Sequence, residues 1–342
     1  MTYNTVLLIF ITHIIRYLIF ITNLFMSFSI LGTGSQLPNL RVTNDDLAKK
    51  VDTSDEWIVS KTGIKERRIL SNETLVDIAG KASLKALENA KVKLEDIDLI
   101  ICATTLGETI SPSTACLIAE RLGATVPAFD INAACSGFVY ALDVAAGYFA
   151  RKKVKKVLVV CAEQISRLVD WNDRATCVLF GDGAAAAVLG EGDNLLAIRL
   201  TCNPDSKALY QNYTGGASPF NTLEPLPSFV KMNGQAVYRF AVNAVCNDLT
   251  AVLKEANVTE KDISYFLLHQ ANMRIIDAAI AHVKLSKDRF LNSIERTGNT
   301  SAVSIPLLLD EANRAGKFKK GDLLALSAFG AGLTTGACIL KW

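Results

Sequence analysis

The chain has 342 residues, half of them hydrophobic, and its 36 basic and 34 acidic side chains leave a net charge of +2. Such a balance excludes a disordered chain, offers no electrostatic basis for nucleic-acid binding, and leaves enough chain for a large core or two domains. The eight cysteines are scattered through mostly apolar runs with no Cys-x-x-Cys pair, which argues for reduced thiols and against a disulfide framework or a metal site.

Residues 1–25 are almost continuously apolar from Val6 onward and contain no Ala, Gly, Asp, Glu or Lys. They lack the basic start and small-residue cleavage site of a secretory signal, so they are expected to form an extension outside the fold, with Met26 as the functional start. A membrane anchor is the competing reading, because the run is long enough to span a bilayer. From Ser27 a strand leads to a glycine turn at Gly32 and Gly34. Asn44, Asp45 and Asp46 offer helix caps, and Thr53, Ser54 and Asp55 open a second helix carrying Trp57 and ending near Gly63. An amphipathic helix follows over 74–90, and 98–103 reads as a buried strand.

The stretch 127–150 organises the rest. A short apolar run (Ala128, Phe129, Ile131) passes through small residues into a helix, which places Cys135 at a strand-to-helix turn. Outward-pointing amides at such a turn favour the thiolate, so the Cys135 thiol is expected below the usual value of about 8.5 and is a candidate nucleophile.

A phrase from the first half recurs. Leu87, Ala90, Val92, Asp96 and Ile97 reappear as Leu253, Ala256, Val258, Asp262 and Ile263, and 157–162 falls on 323–328, all at a shift of 166 residues. An internal duplication carries Cys135 onto Ser301, in a second loop-to-helix turn that also holds Asn299. If the halves pack about a pseudo-twofold axis, Asn299 approaches Cys135 from the other half. His269 ends the buried run 265–268, and ligands lie beyond such strand ends in open α/β sheets. His13 lies in the extension and His282 on a helix face, so His269 is the candidate histidine. The glycine loop 329–332 exposes backbone amides suited to an oxyanion hole, whereas 181–183 is a turn into a core strand.

Together, residues 130–137, 269–274, 298–301 and 329–332, with 53–63 and 180–183, resemble β-ketoacyl-acyl-carrier-protein synthase III of the thiolase superfamily. The resemblance spans residues 26–342. It implies a thiolase-like five-layered αβαβα fold from two duplicated halves, here 26–197 and 198–342, and a homodimer. It further implies that Cys135 is acylated, that His269 and Asn299 act on a malonyl group, and that the Cys135 and Ala331 amides hold the oxyanion. Trp57 and Arg174 match positions that sandwich the coenzyme A adenine, while Thr53, Lys61, Gly234 and Asn272 match others along the coenzyme A tunnel. Gln270, Arg274 and Arg239 match the docking site of acidic acyl carrier protein, and Ile110 and Phe329 the acyl pocket. Lys61 replaces a frequent Arg and loses its forked donor; Ile110 replaces an aromatic found in some relatives.

The implied reaction starts type II fatty acid synthesis by condensing an acyl-coenzyme A, expected to be acetyl-coenzyme A, with malonyl-carrier protein. Coenzyme A enters as substrate, and neither a metal nor any other cofactor is expected. The expected setting is a bacterial cytoplasm or plastid stroma. A chalcone-synthase-like enzyme would carry Gly-Phe-Gly-Pro-Gly in place of the Phe329–Gly332 sequence, an elongating synthase a second histidine at Asn299, and a degradative thiolase a second cysteine in the Gly330 loop. A membrane-anchored scaffold is the non-enzymatic alternative.

Overall fold

The computed structural model describes residues 27–212, 220 and 229–342. The apolar segment 1–25 and Met26 lie outside the described residues. The chain opens with β1 (Ser27–Gln36), β2 (Leu40–Thr43), α1 (Asn44–Ala48), α2 (Asp55–Thr62) and β3 (Glu66–Ile69). Capping sets the two short helices. The Thr43 hydroxyl accepts from the Asp46 amide, one residue ahead of the expected Asn44, and Ser54 accepts from the Trp57 amide.

The first half continues with α3 (Leu75–Ala90), β4 (Leu99–Ala103), α4 (Thr114–Leu122), β5 (Ala128–Ile131), α5 (Gly137–Ala150), β6 (Lys156–Glu163), α6 (Arg174–Cys177) and β7 (Gly183–Gly192). The second half contains β8 (Leu195–Cys202), β9 (Leu209–Tyr210), β10 (Lys231–Met232), α7 (Gly234–Glu255), β11 (Ile263–Leu268) and α8 (Met273–Val283). It closes with β12 (Phe290–Leu291), α9 (Ile294–Thr297), α10 (Ser304–Arg314), β13 (Leu323–Gly330) and β14 (Thr334–Lys341).

Two five-stranded sheets carry the same topology, β1-β7-β6-β4-β5 and β8-β14-β13-β11-β12. In each, three strands run parallel (β4 with β5 and β6; β11 with β12 and β13) and the next is antiparallel. Because β8 already belongs to the second sheet, the change of sheet falls just before Leu195, slightly ahead of residue 198.

Period-two burial builds the layers. On β4, Leu99 and Ile101 join a core with Phe138 and Leu142 of α5 and Leu308 of α10, while Ile100 and Cys102 face α3 and α4. On β13, Leu324 and Leu326 enter that same central core, and Ala325 and Phe329 meet α7 and α8. The order is therefore α3 and α4, first sheet, α5 and α10, second sheet, α7 and α8, a five-layered αβαβα arrangement. The parallel strands explain where the site must lie: β4, β5, β6, β11 and β13 all deliver their C-terminal ends to the region between the halves.

A fully buried arginine supports that region. Arg67 on β3 donates to Asn44 Oδ1 at 2.8 Å and to the Val178 carbonyl at 2.7 Å, with no carboxylate partner among the described residues, and burial pulls its guanidinium down to about 10. Its Cβ lies beside Gly181 and Gly298, under the short parallel bridge between Phe180 and Asn299. Arg67→Met leaves the Asn44 and Val178 acceptors unpaired in a dry site, so it should lower stability by about 3 kcal/mol. Thermal denaturation read beside a surface control, Arg41→Met, measures the difference.

Candidate active site

Cys135 sits in a 3-10 turn, Ala134–Ser136, that joins β5 to α5, and a matching turn, Ser301–Val303, joins α9 to α10. The first residue of each turn is left-handed, Ala134 at φ 47° and Ser301 at φ 52°. The turns therefore match at a shift of 167, one more than the 166 of the flanking repeat, and the counterpart of Cys135 is Ala302. Ser301 nevertheless meets Cys135 across the axis, with its Oγ 3.3 Å from Sγ.

Two glycines permit this approach. A Cβ on Gly137 would lie 3.0 Å from the Ala103 Cβ and 3.2 Å from that of Ala302, and one on Gly330 would lie 2.7 Å from the Cys135 amide nitrogen. The Gly330 contact brings the loop holding Ala331 against the nucleophile turn, so the Cys135 and Ala331 amides come from facing segments of the two halves.

The electrostatics differ from the expectation at Cys135. Removal from water pushes its thiol up to about 12, against the pull of the Ser301 hydroxyl and of Cys135's own amide. Desolvation outweighs the turn amides here. The same burial acts on His269, which is 2% exposed and lowered to about 3, so the imidazole stays neutral across the physiological range. His269 follows β11, its amide donates to the Ser327 carbonyl, and its Nδ1 has no partner among the described residues. Asn299 is held on both backbone sides by Leu179 and Gly181, and its Oδ1 accepts from the Ser301 amide at 2.8 Å. That contact leaves the Asn299 NH2 as a donor with no partner among the described residues.

A cavity of about 670 Å³ opens onto Cys135, Ser301 and Ala331. Its apolar wall includes Leu106, Ile110, Ile165, Leu168, Phe180 and Leu209. His269 and Asn299 are buried beside this space and do not line it. Ile110 lines it while remaining 72% exposed. Phe329, expected in the acyl pocket, instead packs edge-on behind His269 at 5.1 Å between ring centres and belongs to the outer core of the second half. Its place on β13 turns it away from the central layer.

None of the residues expected along the coenzyme A tunnel lines this cavity, although Trp57 packs against the cluster of Ile165, Leu168, Phe180 and Val230 that forms part of its wall. The Arg174 guanidinium already stacks on Trp57, 4.9 Å from the ring centre, and donates to the Asp52 carbonyl at 2.7 Å. An adenine between them requires the guanidinium to swing out. The Asn272 amide caps α8 and donates to the Lys61 carbonyl at 2.9 Å, tying α8 to α2. Lys61 is exposed, Gly234 begins α7, and Thr53 Oγ1 is buried without a partner among the described residues.

Gln270 is a correction to the expected docking surface. It is fully buried, with Oε1 accepting from the Ser293 and Ile294 amides at 3.0 and 3.2 Å and Nε2 donating to the Leu268 carbonyl. It fixes the start of α9, and through it the Asn299 loop. Arg239 and Arg274 are exposed on α7 and α8, with no ion-pair partner among the described residues, and Arg274 lies over the Tyr238 ring at 5.4 Å. Ser301 and Glu163, both buried beside Cys135, were not singled out as site residues from the sequence. Ser301 had a signal in the duplication, whereas Glu163 looked like the polar end of a core strand.

Residues 129–204 match the family described as 3-Oxoacyl-[acyl-carrier-protein (ACP)] synthase III, and residues 253–342 its C-terminal part. The chain is similar to Beta-ketoacyl-[acyl-carrier-protein] synthase III of Clostridium acetobutylicum, 44% identical over 92% of this chain and 99% of the relative. The enzyme of that name from Oceanobacillus iheyensis is 45% identical over 93% and 99%. Among solved structures, 3-oxoacyl-[acyl-carrier-protein] synthase III from Aquifex aeolicus VF5 superposes with a TM-score of 0.87 at 43% identity, covering 92% of this chain and all of that one.

Two substitutions separate the two ends of the Asn299 side chain. Asn299→Asp keeps the acceptor for the Ser301 amide and should melt close to the wild type at mildly acid pH, where a carboxyl so removed from water is neutral, and lose stability as pH rises. Asn299→Ala leaves that buried amide unpaired and should cost about 1–2 kcal/mol; differential scanning calorimetry of both variants makes the comparison.

Proposed function

We propose a two-step acyl transfer from a premise that the similarities establish: the chain belongs to the β-ketoacyl-[acyl-carrier-protein] synthase III family, the condensing enzymes that initiate type II fatty acid synthesis. The observation that carries the reading is Cys135 opening onto an apolar cavity, pressed against Gly330 where the halves meet.

In the first step Cys135 attacks the thioester carbonyl of an acyl-coenzyme A. The Cys135 and Ala331 amides hold the oxyanion, and coenzyme A leaves as its thiolate. Acetyl-coenzyme A is the proposed primer. Trp57, Arg174, Thr53, Lys61, Gly234 and Asn272 are the proposed coenzyme A contacts, with Asn272 acting chiefly by holding α8 on α2. In the second step a malonyl thioester loses carbon dioxide, and the resulting enolate attacks acyl-Cys135 to form the 3-oxoacyl product. Donors from His269 and Asn299 stabilise the enolate oxygen. The low affinity of His269 for protons suits this task, because a neutral imidazole donates an N–H without holding a charge that must be desolvated. Each such donor lowers the barrier by about 3 kcal/mol. The chemistry calls for no metal or redox cofactor.

The malonyl group arrives on acyl carrier protein, for which Arg274 and Arg239 supply the basic docking surface. Ile110 is too exposed to close its side of the cavity alone, which supports a homodimer whose partner covers it. Among the described residues no helix is long and apolar enough to cross a membrane. A bacterial cytoplasm or plastid stroma is the proposed setting.

Intact-mass and peptide mapping after incubation with acetyl-coenzyme A should place one acetyl group on Cys135, and Cys135→Ser should abolish it. His269→Ala should keep acylation yet lower malonyl decarboxylation by roughly two to three orders of magnitude. Loss of acylation with decarboxylation intact would reverse these roles. Because His269 stays neutral, wild-type decarboxylation should show no ionisation near pH 6.5.

Docking through exposed charge is screened beyond about 8 Å at physiological ionic strength. Activity with malonyl-carrier protein should therefore fall with added salt more steeply than acylation does. Arg274→Glu should raise KM for the carrier protein and flatten that slope; equal slopes in a salt series would remove Arg274 from the docking surface.

A further inference from the structure

One buried carboxylate beside Cys135 has no part in the steps above. Glu163 ends β6 with no exposed surface and no cationic partner among the described residues. Its Oε2 accepts from the Thr105 amide and its Oε1 from the Thr105 hydroxyl, both at 3.0 Å. From the other half of the molecule, the Ser301–Val303 turn packs against β6, where the Ser301 hydroxyl and the Ala302 amide lie close enough to oppose the rise in its proton affinity. The same Ser301 Oγ is 3.3 Å from Cys135 Sγ. That hydroxyl donates to Sγ at rest; turned about its Cβ–Oγ bond, it accepts from the thiol and points its own proton at the carboxylate sealed behind it. Burying a carboxylate without a cation is costly, and a neutral side chain would serve packing alone at lower cost.

We propose that Glu163 accepts the Cys135 thiol proton through the Ser301 hydroxyl and keeps it for the lifetime of the acyl-enzyme. This inference rests on the reading of Cys135 as the acylated nucleophile. On attack, the S–H bond breaks as its proton passes to Ser301 Oγ, and the proton already on Ser301 passes to the Glu163 carboxylate. The sulfur lone pair forms the S–C bond, and the coenzyme A thiolate departs to be protonated by solvent. When the enolate later expels Cys135 as a thiolate, Glu163 returns its proton by the same route. One proton is held and returned in each turnover, and one is drawn from solvent by coenzyme A. Glu163 is a positioning residue for that proton and acts through Ser301, whose hydroxyl meets the reacting Sγ and faces the cavity.

The surroundings fit this role. Burial raises Glu163 to about 7, so it can take a proton near neutrality that an ordinary carboxylate would release. Among the described residues no cation faces it: Cys135 on its turn, Cys161 on β6 and Cys102 on β4 are thiols that burial keeps neutral, and Asp130 of β5 lies beside Cys102. On β7, Gly183 pairs with Glu163, and the adjacent Asp182 is held by Ser166 and the Leu70 amide. The Ser301–Val303 turn brings no charge. Two anions side by side are disfavoured, so thiolate formation and carboxylate protonation are coupled.

The test is the pH dependence of single-turnover acylation of Cys135 by acetyl-coenzyme A, with iodoacetamide alkylation as a substrate-free check. Wild-type rates should rise through an inflection near pH 7. Glu163→Gln should lose that inflection, fall about a hundredfold at pH 7.5 and climb steadily into the alkaline range. Ser301→Ala should behave alike, and the double variant should be no slower than either single one. Melting temperatures establish that the variants are folded, and Ser301→Ala carries the test alone if Glu163→Gln does not fold. A wild-type rate and pH profile in either folded variant overturns the relay while leaving Cys135 as nucleophile. Failure of the wild type to acylate at Cys135 overturns the underlying reading and the relay with it.

Discussion

The arrangement depends on how closely two backbone turns approach at the pseudo-twofold axis. Neither turn can carry bulk on the facing side. Gly330 leaves room for the Cys135 amide nitrogen, and Gly137 fits between Ala103 and Ala302. With these gaps closed, Ser301 reaches the nucleophile and the Ala331 loop lies against it. The sheets matter to the chemistry because their shared strand order aims two sets of C-terminal ends at this one place. The buried Arg67, braced on Asn44 and Val178, then keeps the bridge between Phe180 and Asn299 from sagging away from it.

Dryness is the second consequence of that approach, and it sets every protonation state nearby. The thiol is raised, the imidazole is lowered and the carboxylate is raised, each because its charged form has lost water. A site of this kind stores its reactive groups neutral and separates charge only when a substrate supplies something to receive it. For the imidazole this is an advantage in the proposed role, which is to donate an N–H. For the thiol it is an obstacle, and the amides at a helix start do not overcome it alone.

What could be read from the residues follows from how locally each feature is encoded. The turn at Cys135, the cap at Ser54 and the helix over 75–90 rest on neighbours in sequence, and all are present. The duplication was legible because apolar strands retain their pattern; its register at the turns was not, because one extra residue lies between the repeat and Ser301. Features made by distant segments left no trace. Gln270 sits beside His269 in sequence and could pass for a surface residue, yet its amide is consumed by the Ser293 and Ile294 backbone. Glu163 closes an apolar strand, a position where an acid is ordinarily solvated, and only the packing of the other half over it reveals burial. Phe329 was given to the acyl pocket by the resemblance, but strand alternation on β13 sends it to the outer face with Ala325.

Division of the site between the halves matches the division of the proposed reaction. The first half supplies Cys135 and most of the apolar cavity wall, which serve the acyl group. The second supplies His269 and Asn299, which serve the malonyl group, and exposes Arg239 and Arg274. Ser301 is the exception, a second-half residue hydrogen-bonded to Cys135 and lying beside Glu163 of the first half, with its own amide fixed by Asn299. The donor that acts on one substrate is thereby held by the residue that touches the nucleophile for the other. A displacement of the Ser301 turn would disturb both half-reactions together, which gives a physical reason for fixing its first amide on the Asn299 side chain in so dry a place.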